Sequence, residues 1–132
     1  MKNFILLMVF GCLFSTPVWS QVAVVVNPSL NEDVTKVDIA RLYTGRSSVL
    51  QPVNLPESDP KRAIFDDQAV GRSSAQLKAY WSRLVFTGKG TPPPELNNDA
   101  EVIAFVAENL YGIGYIDASN VTDEVRVLFI LE

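Results

Sequence analysis

A run of five apolar residues, four of them β-branched, constrains the fold of this chain more than any other feature. Val22–Val26 reads VAVVV and is ended by Asn27-Pro28. A continuous apolar run this short is typical of a strand that is buried on both faces, as in a parallel or mixed sheet covered by helices. We therefore expect a central strand here, with helices from the rest of the chain packed over it.

Four predicted helices follow this strand, each with a capping signal near its start. Thr35 and Ser73 open capping boxes, and Asp59 and Asn98 are N-cap residues. Glycines mark the ends, at Gly45, Gly71, Gly88 and Gly112. The predicted buried faces are Ile39, Leu42 and Tyr43; Ala63, Ile64, Phe65 and Ala69; Leu77, Tyr80, Trp81, Leu84 and Val85; and Val102, Phe105, Val106 and Leu110.

Three further short apolar segments complete the predicted sheet. They are Pro52–Leu55, Ile113–Ile116 and Val125–Leu131. Strands that alternate with helices in this way indicate the α/β class, with a mixed sheet of about four to five strands flanked by helices. The aromatic stripe of the third helix is interpreted as core rather than as a cofactor site, and Asp66-Asp67 as a solvated helix face.

The first twenty residues have the pattern of a secretory signal peptide. Lys2 precedes the apolar run Phe4–Phe14, and small residues lead to a predicted cut after Ser20. A membrane anchor is disfavoured, because a spanning helix needs about 20 apolar residues and Pro17 interrupts this run. Residues 1–20 are therefore predicted to be removed, leaving a periplasmic protein with one α/β domain over residues 21–132 and no stable membrane span.

Cys12 stands in a segment that loosely resembles a lipoprotein cleavage site. Phe10 and the apolar residues beyond Cys12 do not fit that pattern, so lipid anchoring is disfavoured. Cleavage after residue 20 removes Lys2 and Cys12 and leaves ten basic and fifteen acidic residues, a net charge of −5, with no Cys and no His. This composition excludes disulfides, zinc sites built from His or Cys, and nucleophile pairs that use His. The acidic balance argues against nucleic acid as a partner.

Two glycine-containing segments invite nucleotide-binding interpretations that their surroundings contradict. Gly88-Lys89-Gly90-Thr91 lacks the glycine that a phosphate loop carries five residues before the Gly–Lys pair, and prolines follow it where a helix would be needed. Gly112-Ile113-Gly114 leads from a helix into a strand, the reverse of the dinucleotide-binding order. No enzymatic activity and no cofactor are predicted.

The turn Glu57–Arg62 is the candidate ligand site. It leads from a strand into a helix, and helix N-termini attract anions because their first backbone N–H groups are unpaired. The candidate ligand-binding residues are Ser58, Asp59, Lys61 and Arg62. Pro60 removes one N–H donor, and Asp59 can satisfy others with its own carboxylate. An ordinary capped helix start with solvated basic residues is the alternative.

Several segments resemble the phosphate-binding proteins of ABC transporters. Val37–Gly45, VDIARLYTG, resembles a helix of that family that ends in Tyr-x-Gly, and Pro52–Phe65 resembles the strand and turn that follow it. Gly112–Ile116, GIGYI, resembles a late strand entry of the family, and Leu77–Pro93 resembles its short single-domain members. The resemblance implies a type II periplasmic-binding-protein fold, here as a single lobe, whereas full members close two lobes on phosphate.

The resemblance also implies where an anion would bind. The family holds phosphate with an Arg-x-Asp-Gly-Ser-Gly-Thr segment before a helix. With Phe65 as anchor, the Arg position falls on Leu55, the Asp on Glu57, and the Ser-Gly-Thr on Asp59, Pro60 and Lys61. Only the acidic position keeps its type, and Lys61 and Arg62 are the residues that remain able to bind an oxyanion.

Two functions are consistent with this pattern. The first is a non-enzymatic substrate-binding-like protein that binds phosphate or another small oxyanion weakly. The second is a degenerate lobe that acts as a protein–protein interaction module in the cell envelope and contacts a second copy of itself or another envelope protein.

Overall fold

The computed structural model describes Gly11 and residues 21–132. The predicted signal peptide and the lipid-anchoring question at Cys12 lie outside the described residues. The elements in chain order are β1 (Val22–Val26), α1 (Lys36–Tyr43), β2 (Gln51–Pro52), α2 (Pro60–Phe65), a π-helical turn (Asp66–Val70), α3 (Ser74–Phe86), α4 (Asp99–Glu108), β3 (Gly112–Asp117), a 3₁₀ turn (Ala118–Asn120) and β4 (Arg126–Leu131).

The VAVVV run forms an inner strand, as its composition predicts. The sheet has four strands in the order β2-β3-β1-β4. β1 pairs antiparallel with β3 on one side and with β4 on the other, while β2 pairs parallel with β3. All five residues of β1 are completely buried. The predicted α/β class and the four-to-five-stranded mixed sheet are therefore confirmed.

The predicted N-caps of the helices are confirmed. Thr35 and Asp38 form a reciprocal capping box at α1, and Ser73 and Gln76 form a second at α3. The carboxylate of Asp59 accepts from the N–H of Lys61 at the start of α2, and Asn98 caps α4 through the N–H of Glu101. Each cap satisfies backbone donors that a helix start leaves unpaired.

Helices α1, α2 and α4 contribute the main helical part of the core. α4 packs against β3 and β1, and α1 packs against the π-helical turn that continues α2. The buried helical side chains include Ile39, Leu42, Tyr43, Phe65, Ala69, Val102 and Val106. Ala63 is exposed, contrary to the predicted face, because it lies about 200° around the helix from the buried Phe65.

The predicted end of α4 was wrong. The helix ends at Glu108, where the side-chain amide of Asn109 donates to the carbonyl of Phe105 at 2.7 Å. Asn109 then takes an extended conformation, so Leu110 leaves the helical spacing and is 43% exposed. Gly112 opens β3 instead of ending the helix.

Two side-chain environments also differ from the prediction. Only Leu77 of the apolar stripe on α3 is buried, whereas Val85 is 53% exposed and Phe86 is 92% exposed.

Asp66 is 1% exposed, while its neighbour Asp67 is exposed as predicted. Asp66 opens the π-helical turn and accepts a hydrogen bond from the hydroxyl of Ser74, which compensates part of the cost of its burial.

One edge of the sheet is formed by β4. Its register with β1 shifts between Val24 and Val25, so that Leu128 is the extra residue of a bulge.

Within the described residues, no helix combines the length and the hydrophobicity that a membrane crossing requires.

Candidate functional site

The turn Glu57–Arg62 connects β2 to α2. The carbonyl of Pro56 accepts from the N–H of Asp59 at 2.9 Å, and the carbonyl of Asp59 accepts from the N–H of Arg62 at 3.0 Å. Asp59 is the N-cap and Pro60 is the first helical residue. The backbone donors at this helix start are therefore partly used by the turn itself, in line with the sequence prediction.

Lys61 extends between two carboxylates. Its Nζ lies 3.1 Å from Oδ1 of Asp59 and 3.5 Å from Oδ1 of Asp99, the first residue of α4. Partial burial alone would lower the pKa of Lys61, but the hydrogen bond to Asp59 and the charge of Asp99 outweigh it and raise the pKa. The ammonium group therefore stays charged and is engaged with these two carboxylates.

Arg62 is also paired with acceptors of this chain. Its Nη1 donates to the carbonyl of Leu55 at 3.1 Å and to Oε1 of Glu95 at 2.6 Å. Its Nε lies 3.8 Å from Oδ2 of Asp66, and this nitrogen is buried without a hydrogen-bond partner in the described part of the chain. The guanidinium thus connects the end of the β2 segment, the loop before α4 and the buried carboxylate.

Asp66 lies beneath this cluster. Burial raises the pKa of Asp66, while the hydrogen bond from Ser74 and the charge of Arg62 act in the opposite direction. The Ser74 hydroxyl donates to Oδ2 at 2.6 Å. Asp66 is therefore a structural acceptor that links Arg62 on α2 to the first residue of α3.

The balance of charge at the turn is negative. Three cationic groups, Lys61, Arg62 and Lys78, are paired with five carboxylates, namely Asp59, Asp99, Glu95, Asp66 and Glu57. Charged groups at these distances favour their present partners over an incoming anion, which also meets repulsion from the excess of carboxylates. An anion would therefore have to displace a carboxylate to contact either Lys61 or Arg62.

The structure places the four predicted site residues in different surroundings. Lys61 is paired with Asp59 and Asp99, and Arg62 is paired with Glu95 and Asp66. Ser58 lies at the exposed tip of the turn. Sequence reasoning missed Glu95, Asp66 and Asp99, although Asp99 follows the correctly predicted N-cap Asn98.

Asp99 is held in place from the opposite direction. Its Oδ2 accepts from the N–H of Asp117 and from the amide of Asn120, both at 2.9 Å. Its Oδ1 is the atom that faces Lys61. The carboxylate therefore joins α4 and the end of β3 to the turn, and this fixes the position of Lys61.

Glu95 reaches Arg62 because the proline-rich loop between α3 and α4, residues 87–98, is attached to the core. Asn54 donates through its N–H to the carbonyl of Pro94 and accepts at its own carbonyl from the N–H of Leu96, both at 2.8 Å. The side chain of Asn54 also accepts from the buried hydroxyl of Tyr115, which in turn accepts from the N–H of Leu55. Hydrogen bonds of Asn54 and Tyr115 therefore hold both the loop and the segment that leads into the turn against the core.

An open groove lies beside the turn. It has a volume of about 500 Å³ and runs between α3 and the proline-rich loop. Leu77, Trp81, Val85, Phe86 and Pro92 form its apolar part, and Arg62 lies at its polar end with Glu57 and Glu95. In the described residues, no group of three His, Cys, Asp or Glu side chains is arranged to hold a metal ion.

Solved structures with the same fold were found, although no protein-family model and no curated protein matches the sequence. An ABC-type phosphate transport receptor from Vibrio cholerae superposes with a TM-score of 0.63 at 16% identity, over 83% of this chain and 46% of that one. A proposed phosphate ABC transporter substrate-binding protein with bound phosphate from Clostridium perfringens gives 0.65 at 20% identity, over 83% and 45%. PstS from Borrelia burgdorferi gives 0.59 at 14% identity, over 83% and 47%.

The likeness covers most of this chain but less than half of each neighbour. At these sequence identities the structural likeness establishes the fold but does not identify a ligand. The chain has the α/β fold of one lobe of the phosphate ABC transporter substrate-binding proteins, which confirms the resemblance that its sequence predicts.

Proposed function

We propose that this chain is an exported, non-enzymatic lobe of the periplasmic-binding-protein fold that acts through contacts with other protein chains in the cell envelope, including its own copies. The observation that carries the proposal is the closed set of ion pairs at the turn: Lys61 and Arg62 are both paired with carboxylates of the same chain. Cations that are neutralised by carboxylates of the same chain bind an incoming anion poorly, so the fold is better explained by a contact role.

The outer face of α3 supports the same proposal. Apolar side chains such as Val85 and Phe86 are left in solvent on α3. Exposed apolar surface is typical of protein contact sites.

Light scattering and in-cell crosslinking test the contact role. We expect the protein over residues 21–132 to associate with itself at high concentration, or to give one discrete crosslinked adduct at native expression. A protein that stays monomeric at every concentration, and gives no adduct in cells, would contradict the proposal. Mass spectrometry of the exported form should find Gln21 at its start, as the predicted cut requires.

Weak oxyanion binding is the second candidate. It is favoured by the position of Lys61 and Arg62 in the first turn of α2, and by the bound phosphate in the Clostridium perfringens neighbour. Titration calorimetry with phosphate, sulfate and a small carboxylate tests it. Binding that is lost in Lys61→Ala/Arg62→Ala but kept in Lys89→Ala/Arg46→Ala, which removes one exposed lysine and one exposed arginine away from the turn, would support this candidate.

The variant Glu95→Gln tests directly whether Arg62 can bind an oxyanion. It removes the carboxylate that lies 2.6 Å from Arg62 and frees the guanidinium for an anion. If the turn binds oxyanions at all, this variant should bind them more tightly than the wild-type protein. No heat from either protein at millimolar ligand would exclude the oxyanion function.

A further inference from the structure

Two segments of the chain carry basic residues and no acidic residue. They are residues 39–56 and 68–94. Their basic residues are Arg41, Arg46, Arg72, Lys78, Arg83 and Lys89. Together the two segments hold six of the ten basic residues of the chain after residue 20, and none of its fifteen acidic residues. The positive charge of this acidic protein is therefore concentrated in two stretches of the sequence.

The fold brings these two segments together beside Tyr80. The hydroxyl of Tyr80 donates to the carbonyl of Thr44 at 2.7 Å, and the neighbouring Trp81 lies against Gly45. The guanidinium of Arg72 lies over the ring of Tyr80, 5.2 Å from the ring centroid. The end of α1 and the outer side of α3 therefore form one surface, and both segments contribute basic residues to it.

Three arginines lie on this surface without a carboxylate partner. Arg46 stands two residues beyond the carbonyl that Tyr80 contacts, and Arg83 follows Tyr80 by three residues, a spacing at which helical side chains are neighbours. We call Arg46, Arg72 and Arg83 the basic patch. Lys89, in the turn that ends α3, adds a fourth base that is exposed. None of the four forms a salt bridge within the part of the chain that the structure describes.

The other two basic residues of these segments are offset by nearby acids. Hydrogen bonds from Thr35 and, to a smaller extent, the charge of Arg41 lower the pKa of Asp38, so this arginine has a carboxylate close by. Nζ of Lys78 lies 3.5 Å from Oε2 of Glu57. Neither residue is therefore counted in the basic patch.

An exposed aromatic side chain stands beside the basic patch. Phe86 is 92% exposed, more than any other large apolar side chain in the described residues. It follows Arg83 by three residues on α3, so the two side chains are neighbours. Val85, which lines the groove described above, lies about 160° around the helix from Arg83. The basic patch is thus separate from the groove, and Phe86 lies between them.

We propose that the basic patch and Phe86 bind the surface of a bilayer that contains anionic phospholipids. Guanidinium groups bind phosphate oxygens as a planar fork, which places the three arginines at the level of the lipid phosphates. Phe86 inserts its ring among the headgroups, as apolar side chains of surface-bound helices do. This inference goes beyond the proposed protein contact and does not depend on it, because the groove beside Val85 stays free for a protein chain.

The make-up of this surface favours a bilayer over an acidic protein. The buried core of a protein interface is depleted in charged residues, whereas here the centre is basic and Phe86 stands at its side. Clusters of about four or more Lys and Arg residues attract anionic lipid. A bilayer engages all of these residues at once, whereas a free phosphate ion gains little from any one of them.

The negative net charge of the chain does not prevent this contact. At physiological ionic strength the Debye length is about 8 Å, so exposed charges farther away than this are largely screened. The charges nearest the bilayer therefore determine the attraction. We expect the protein to bind in one orientation, with the basic patch towards the lipid.

Co-sedimentation with vesicles tests the inference. The protein over residues 21–132 is mixed with phosphatidylcholine vesicles that contain about 30% phosphatidylglycerol, and separately with vesicles of phosphatidylcholine alone. We expect binding to the anionic vesicles at about 0.05 M salt and release at about 0.5 M salt. The neutral vesicles should not bind the protein.

Two double variants with the same net charge test the position of the patch. Arg46→Gln/Arg83→Gln should lower the partition constant about 25-fold, since each basic residue near an anionic surface contributes a factor of about five. Both side chains are exposed, and Arg72 is left in place on Tyr80, so this variant is expected to fold. Lys36→Gln/Arg126→Gln removes the same charge from exposed positions outside the patch and should stay within about threefold of wild type.

The variant Phe86→Ala tests the inserted ring. It should lower the partition constant about fivefold, because part of the apolar surface of the ring no longer leaves water. The salt dependence should not change, since no charge is removed. A partition constant equal to that of wild type would show that Phe86 takes no part, and would overturn this element of the inference.

The remaining outcomes separate this inference from the proposed function. No binding to anionic vesicles at low salt, equal binding to neutral vesicles, or equal losses in the two double variants would overturn the lipid contact. A crosslinked adduct in cells that is lost in Arg46→Gln/Arg83→Gln, without vesicle binding, would assign the patch to an acidic protein instead. A protein that binds anionic vesicles as expected, but stays monomeric and gives no adduct, would overturn the proposed contact function alone.

Discussion

Helices α3 and α4 have the same kind of sequence and different surroundings. Both begin at a side-chain cap and carry apolar residues at helical spacing. α4 buries Val102 and Val106 against the sheet, whereas α3 buries only Leu77 and leaves Val85 and Phe86 in solvent. Hydrophobic periodicity therefore predicts that a helix forms and which face is apolar, but it does not predict what covers that face.

The attachment of α3 is mainly polar. Ser74 donates to Asp66, and the hydroxyl of Tyr80 donates to the carbonyl of Thr44 at 2.7 Å. Trp81 lies against Gly45 and Gly90. The two helices thus differ in the forces that hold them, since apolar burial dominates at α4 and a few directed contacts dominate at α3.

The largest expected difference between the helices comes from the same substitution at two valines. Val106→Asp places a charge at a completely buried position and should destabilise the protein by about 4 kcal/mol or more. Val85→Asp stands at a position that is 53% exposed and should cost about 1 kcal/mol or less, from helix propensity and the unfavourable dipole end. Chemical denaturation of both variants measures this. Equal losses would show that the outer face of α3 is covered in solution.

The sequence predicted local features well because their causes are local. The capping box of Thr35 with Asp38, and that of Ser73 with Gln76, each depend on residues three positions apart. β1 was predictable because five consecutive apolar residues leave few alternatives to a buried strand. The α/β class then follows from the alternation of the predicted strands and helices along the chain.

The partners of the candidate site could not be predicted in the same way. Glu95 reaches Arg62 from 33 residues away because Asn54 holds the proline-rich loop against the core. The burial of Asp66 depends on a π-helical turn, which changes the direction of side chains relative to a regular helix. Long-range pairing and local helix geometry are both set by tertiary packing.

The close packing of α4 on β3 gives the second prediction. A Cβ at Gly114 would lie 2.6 Å from Cγ1 of Val102, so Gly114→Ala should destabilise the protein by about 2–3 kcal/mol. Adding Val102→Ala should make room for the new methyl, so the double variant should be more stable than the sum of the single losses predicts, by about 1 kcal/mol. Thermal and urea unfolding of the three variants complete the cycle.

The corresponding test at α3 is Gly90→Ala. A Cβ there would lie 3.2 Å from Cζ3 of Trp81, and α3 carries few apolar contacts that would resist a small shift. We expect a loss of about 0.5 kcal/mol or less. A loss as large as that of Gly114→Ala would show that Trp81 is held as rigidly as Val102, and the contrast between the helices would not stand.

The polar attachment of α3 gives a pH-dependent prediction. Ser74→Ala removes a hydrogen bond to the buried carboxylate of Asp66 and should cost about 1–2 kcal/mol at neutral pH. Burial already raises the pKa of Asp66 above its usual 3.8, and the Ser74 hydrogen bond lowers it, so the variant has a still higher pKa. Protonation therefore restores stability to the variant as the pH falls through its folded-state pKa towards 3.8.

Urea unfolding at several pH values measures this dependence. The cost of Ser74→Ala should be greatest at neutral pH and should shrink in acid. In an Asp66→Asn background the same substitution should lose its pH dependence, since no carboxyl is left to titrate. A cost that is constant with pH in the wild-type background would assign the effect to the capping region of α3 rather than to Asp66.

The smallest expected effect belongs to the most exposed aromatic residue. Phe86 is 92% exposed at the end of α3, so Phe86→Ala removes almost no buried surface and should change the free energy of unfolding by less than about 0.5 kcal/mol. Unfolding should be measured at two protein concentrations tenfold apart. A loss above about 1 kcal/mol that grows with concentration would mean that another copy covers Phe86 in solution, because only an intermolecular contact depends on concentration. In that case the apolar face of α3 would take part in association.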